Sequence, residues 1–99
     1  MEEFAQNIYT ILSYLGEGKL ITYGQLAKQA GFPLHSRHVG KVLARLPKDS
    51  RLPWFRVVNS QGKISLIGEA FIRQKSLLEK EGIEITDQGK IVKFKQYLD

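Results

Sequence analysis

Thr22-Tyr23-Gly24-Gln25-Leu26-Ala27-Lys28-Gln29-Ala30-Gly31-Phe32-Pro33-Leu34-His35-Ser36-Arg37-His38-Val39-Gly40-Lys41-Val42-Leu43-Ala44-Arg45-Leu46 is the stretch that decides the fold. Thr22 followed three residues later by Gln25 has the form of a capping box, in which each side chain satisfies the other's backbone N–H. It starts a short helix with Leu26, Ala27 and Ala30 on its apolar side, running up to Gly31. Gly31-Phe32-Pro33-Leu34 reads as a turn. From Ser36 to about Leu46 the spacing predicts another helix. At about 100° per residue, Val39, Val42, Leu43 and Leu46 gather on one side, and Arg37, Lys41, Ala44, Arg45 and, beyond the helix, Lys48 gather on the other. Alone, such a pattern describes a surface helix with a solvated charged face. Preceded by a short capped helix and a tight turn, it describes the second helix of a helix-turn-helix.

Working outward, Phe4, Ile8, Ile11, Leu12 and Leu15 fall at helical spacing and stop at Gly16-Glu17-Gly18, which predicts a first helix. Lys48 to Pro53 is a polar stretch bounded by Pro47 and Pro53 and reads as an ordered loop. Val57-Val58 and Lys63-Ile64-Ser65 flank Asn59-Ser60-Gln61-Gly62, the pattern of a small hairpin that would serve as a wing. A fourth helix is expected from about Glu69 to Glu81, closed by Gly82 in the left-handed capping position. Ile83-Glu84-Ile85 and Lys90 to Phe94, joined by Thr86-Asp87-Gln88-Gly89, read as a short C-terminal hairpin. The fold expected is thus α+β and mainly helical, a single winged helix-turn-helix domain over residues 1–99.

Composition narrows the function. Fifteen Lys and Arg against ten Asp and Glu give a net charge of +5, which favours a polyanionic partner. With no cysteine in the chain, disulfides, thiolate metal sites and cysteine nucleophiles are excluded. His35 and His38 stand three apart but have no third ligand of suitable type nearby, so neither metal nor cofactor is expected. No apolar run reaches membrane-spanning length and the start lacks the pattern of a signal peptide, which leads to an expectation of a cytoplasmic protein, nucleoid-associated in a bacterium, with no membrane partner.

Four motifs in order then carry a resemblance over nearly the whole chain: Thr22-Tyr23-Gly24-Gln25-Leu26-Ala27, Arg37-His38-Val39-Gly40 with Leu43 after it, Pro53-Trp54-Phe55-Arg56-Val57-Val58, and Glu81-Gly82. On these the chain resembles the DNA-binding domain of the O6-alkylguanine-DNA alkyltransferases, and in particular the short alkyltransferase-like proteins. In the repair enzymes the central motif is Pro-Cys-His-Arg-Val, whose cysteine takes the alkyl group while the histidine relays its proton towards a glutamate. Trp54 and Phe55 hold those two positions here. An indole offers no thiolate and a phenyl ring no proton to relay, so the resemblance implies recognition without transfer chemistry. Glu81 matches the family glutamate and, with no histidine to orient, is expected to be structural. Arg56 is expected to brace the loop.

By the same resemblance Arg37 is the finger that fills the gap left by a flipped nucleotide, and Tyr23 crowds the 3′ phosphate and promotes the flip. Ser36, Lys41 and Arg45 join them as DNA-binding positions, Lys48 is a further phosphate contact, and small Ala44 lets the helix approach the groove closely. The alkylguanine pocket is expected at Tyr23, Pro53, Trp54, Val57 (through its backbone) and Ile67. Trp54 would serve as its wall, the alternative being a core tryptophan beside Pro53. The lid segment Ser65-Leu66-Ile67-Gly68 is more apolar than the family pattern. The resemblance implies a monomer that binds double-stranded DNA containing O6-alkylguanine and flags it to nucleotide excision repair damage-recognition proteins. A sequence-specific winged helix-turn-helix regulator is the alternative.

Overall fold

The computed structural model describes residues 2–98. Phe4, Ile8 and Leu12 recur about once per turn along one stripe, and they are the buried residues of α1 (Glu2–Tyr14). There follow β1 (Ile21–Thr22), α2 (Tyr23–Gln29), α3 (Ser36–Ala44), a 3-10 turn at Trp54–Arg56, β2 (Val57–Val58), α4 (Gly68–Lys80) and a second 3-10 turn at Phe94–Tyr97. The architecture is α+β and mainly helical. No helix among the described residues is long and apolar enough to cross a membrane.

The capping box forms as its spacing predicts. Thr22 Oγ1 accepts from the Gln25 N–H at 3.0 Å, and Gln25 Oε1 accepts from the Thr22 N–H at 3.1 Å. Gly31, in the left-handed region at φ 93°, turns the chain toward α3. α3 ends at Ala44, two residues short of the expected Leu46. Arg45 and Leu46 close instead in tight bonds to the Val42 and Leu43 carbonyls, because a residue before proline is pushed out of the helical region. α4 ends as expected, with Gly82 at φ 85° just past its last turn.

Two apolar cores lie on either side of the β1–β2 pair. Phe4, Ile8, Leu12, Leu26, Ala27, Ala30 and Val39 make the first, under the three N-terminal helices. Ile64, Leu78, Ile83, Ile85 and Ile91 make the second, under α4 and the C-terminal segment. Successive side chains in a strand point to opposite faces. Val57 accordingly enters the first core and Val58 the second, and Ile21 and Leu20 divide in the same way.

Strand pairing departs from the sequence expectation at one place. β2 does not pair with Lys63–Ser65 as a wing hairpin; it pairs in parallel with β1, Ile21 opposite Val57 and Thr22 opposite Val58. The turn itself forms, with the Asn59 N–H donating to the Lys63 carbonyl at 3.2 Å and Asn59 Oδ1 accepting from the Gln61 and Lys63 N–H groups. Its second arm then joins the C-terminal hairpin, through an antiparallel bridge between Lys63 and Lys90 and the bonds Ile64 N–H to Gly89 O and Ile91 N–H to Gly62 O. The cause is burial. Val57 and Val58 are both fully enclosed and need a pairing partner whose neighbourhood carries core residues on both faces, which Leu20-Ile21 supplies and the polar Lys63-Ile64-Ser65 arm does not. The C-terminal hairpin closes through the Ile85–Ile91 bridge.

Candidate nucleic-acid interface and base pocket

α3 turns its apolar stripe inward and its basic stripe out. Val39 is fully buried, while Arg37, Lys41, Ala44 and Arg45 are exposed and Ser36 is half-buried at the helix start. Lys48, in the loop beyond, is exposed as well. Among the described residues neither Arg37 nor Lys41 makes an ion pair, so their charge is directed to solvent. α2 packs against α3 and places Tyr23, its first residue, half-buried against the first core.

Along one flank of the basic stripe lies a cavity of about 450 Å³, within the size range of small-molecule sites. Tyr23 from α2, Gly40, Leu43 and Ala44 from α3, Leu46, Pro47 and Lys48 from the following loop, and Trp54 from the 3-10 turn form part of its wall. Leu66, Glu69, Ala70, Arg73 and Gln74 complete it. Trp54 is half-buried, meets Phe55 edge-on at 5.8 Å, and has the Arg73 guanidinium 5.9 Å from its ring centroid. Aromatic and aliphatic walls with a few polar groups suit a flat, heteroaromatic guest.

Of the expected pocket residues, the structure brings Tyr23 and Trp54 together in this cavity and leaves three outside it. Pro53 is buried on the far side of the turn, in a separate cleft with Leu12, Leu15 and Arg56. Val57 is 1% exposed with its side chain in the first core. Its carbonyl accepts from Gln74 Nε2 at 3.0 Å. Ile67 points away, 86% exposed, and borders a shallow cleft with Asn59 and Ser65; Leu66 takes the cavity-facing place. Alternation of side chains through the extended Ser65-Leu66-Ile67 segment accounts for the exchange.

The helix α4 contribution was not foreseen. Gln74 is the signal the sequence offered, a glutamine on the stripe that otherwise carries Phe71 and Leu78. It is 1% exposed, its Nε2 donates to the Phe55 and Val57 carbonyls at 2.9 and 3.0 Å, and among the described residues its Oε1 has no hydrogen-bond partner. It fastens the Trp54 turn to α4. The same turn is fastened from the other side by Arg56, which pairs with Glu81 (Nη2 to Oε2 2.6 Å, Nε to Oε1 3.0 Å) and donates from Nη1 to the Leu15 carbonyl at 2.5 Å. Glu81 also accepts from the Gly18 N–H at 3.0 Å. The two side chains thus tie the end of α1, the Trp54 turn and the end of α4 into one piece, both as bracing groups.

The His35 and His38 rings lie 5.5 Å apart and tilted by 52°, with His35 also against Phe4 and Phe32. Among the described residues no group of three His, Asp or Glu converges on a metal position.

A capped helix, a turn and a helix with an unpaired cationic face beside a base-sized cavity define a helix-turn-helix DNA-binding domain. The family model of the 6-O-methylguanine DNA methyltransferase DNA-binding domain matches residues 3–83. A DNA base-flipping protein of Vibrio parahaemolyticus is 54% identical over 91 residues, 92% of this chain and 91% of that protein. Alkyltransferase-like protein 1 of Schizosaccharomyces pombe is 40% identical over 87 residues, 86% of this chain and 81% of that protein. The crystal structure of S. pombe Atl1 with damaged DNA containing O6-carboxymethylguanine superposes with a TM-score of 0.88 at 36% identity, covering 100% of this chain and 96% of that one. The chain belongs to the family of the 6-O-methylguanine DNA methyltransferase DNA-binding domain, among its alkyltransferase-like members.

Proposed function

We propose that this protein binds duplex DNA through the basic face of α3, flips O6-alkylguanine into the cavity beside Trp54, and holds it without transferring the alkyl group. The observation that carries the proposal is the place of Trp54, which the motif resemblance sets at the family's cysteine position: it lies in the wall of an open cavity rather than in either core. Arg37, one turn before the cavity-lining Gly40 and two before Ala44, presents a free guanidinium on the outer face of the same helix, where a cation can stack into the gap of a displaced nucleotide. Relatives named as base-flipping and alkyltransferase-like proteins support the reading.

With no cysteine in the chain and Phe55 in the relay position, there is no thiolate to alkylate and no imidazole to activate one. A lesion held but not repaired has to be passed on. Nucleotide excision repair is the pathway we propose, as the family resemblance implies, with its damage-recognition proteins as partners of a monomer acting in the cytoplasm.

Mass spectrometry after mixing the protein with a stoichiometric O6-methylguanine duplex tests the central chemistry. The expected result is a retained complex, an unchanged protein mass and a methyl group still on the DNA. A protein heavier by one methyl group would overturn the proposal.

A further inference from the structure

Arg73 stands on α4 with its guanidinium over Trp54, 5.9 Å from the ring centroid, and both residues line the cavity. Among the described residues Arg73 makes no ion pair. A guanidinium resting on an indole face is held in orientation by the ring quadrupole while its edge N–H donors stay free. Those donors form a planar fork that matches a carboxylate through two parallel, charge-assisted hydrogen bonds. Lys48 adds a second cation to the lining of the same cavity, against one carboxylate, Glu69, a turn before Arg73 on the helix. The cavity lining is therefore cationic in sum, with Arg73 held against Trp54. Its volume of about 450 Å³ also leaves room beyond a purine bearing a single methyl group.

We infer that Arg73 makes this pocket selective for O6-alkyl groups that end in a carboxylate. The inference rests on the flipped-base reading, in which Trp54 packs against the base and its alkyl group. Under it, the alkyl chain leaves the purine edge along the indole and delivers its carboxylate to the fork of Arg73, with Lys48 contributing charge at longer range. Neutral alkyl groups gain the indole contact alone. Glu69 opposes the preference and limits it. A DNA phosphate is the other anion that Arg73 could meet, and the two sources separate by experiment, since a phosphate is common to every duplex and the carboxylate is not.

Equilibrium binding to four otherwise identical duplexes tests this: guanine, O6-methylguanine, O6-carboxymethylguanine, and its neutral near-isostere O6-carbamoylmethylguanine. The wild type is expected to bind the carboxymethyl duplex roughly five- to tenfold more tightly than the carbamoylmethyl duplex at low salt, and by less at high salt. Arg73→Gln should abolish that ratio while leaving O6-methylguanine preferred over guanine, and Glu69→Gln should raise it. Equal wild-type affinity for the carboxymethyl and carbamoylmethyl duplexes, with O6-methylguanine still preferred over guanine, overturns the inference alone. A loss in Arg73→Gln that is the same for all four duplexes assigns Arg73 to a phosphate and also overturns it. Equal affinity for guanine and O6-methylguanine overturns the flipped-base reading with it.

Discussion

Trp54 could fill space in a small domain or offer a surface to a ligand, and its surroundings separate the two. A core tryptophan loses solvent contact and finds a partner for its indole N–H. Trp54 instead is half-buried at the start of a 3-10 turn, with one wall of an open cavity on its ring and a guanidinium above it. Trp54→Ala is therefore expected to lower affinity for an O6-methylguanine duplex by about 1–3 kcal/mol, the range for loss of base stacking, with little change for the unmodified duplex. Titrations of both duplexes check it. An equal loss on both, accompanied by a lower melting temperature, would mean that the ring serves the core. The residue scale is also where motif position and side-chain direction separate. Ile67 is assigned to the pocket by motif position, yet it stands in solvent while its neighbour Leu66 faces the cavity; Val57, assigned through its backbone alone, turns its side chain into the first core. A motif names a position in the chain; the direction of a side chain is decided by a one-residue alternation that no single sequence reveals.

At the scale of elements, what was legible is what is local. The Thr22–Gln25 capping box, the Val39 stripe of α3 and the Gly82 stop of α4 each depend on residues within a turn or two of one another, and each forms as read. The β1–β2 pair was not legible, because two-residue strands carry no period and their partners are distant in the chain. The contribution of α4 to the cavity was hidden for the same reason. Arg73 meets Trp54 only once the Trp54 turn is clamped between α1 and α4. That clamp is the Arg56–Glu81 pair, with the two side chains 12% and 8% exposed. Removing one member of a largely buried pair leaves its partner's charge uncompensated, so Glu81→Ala is expected to destabilise the fold by about 3 kcal/mol. Chemical denaturation measures it. A loss below about 0.5 kcal/mol, as for an exposed surface pair, would show that the clamp does not hold the elements together.

For the molecule as a whole, a net charge of +5 and an exposed cationic helix give an attraction to any duplex, and that part of the affinity is independent of sequence and falls with salt. Lesion selectivity has to come from somewhere else. Under the proposed function it comes from the cavity lined by Tyr23 and Trp54 and flanked by the helix that carries Arg37. The two cores on either side of β1 and β2 hold the α3 side and the α4 side of that cavity in one frame. The measurement that tests this account most directly is the ratio of dissociation constants for matched guanine and O6-methylguanine duplexes at a single fixed salt concentration, for wild type and Arg37→Ala. The wild type is expected to prefer the lesion by roughly tenfold or more, and Arg37→Ala by less, because the vacated stack is no longer filled. Equal wild-type affinity for the two duplexes would contradict it.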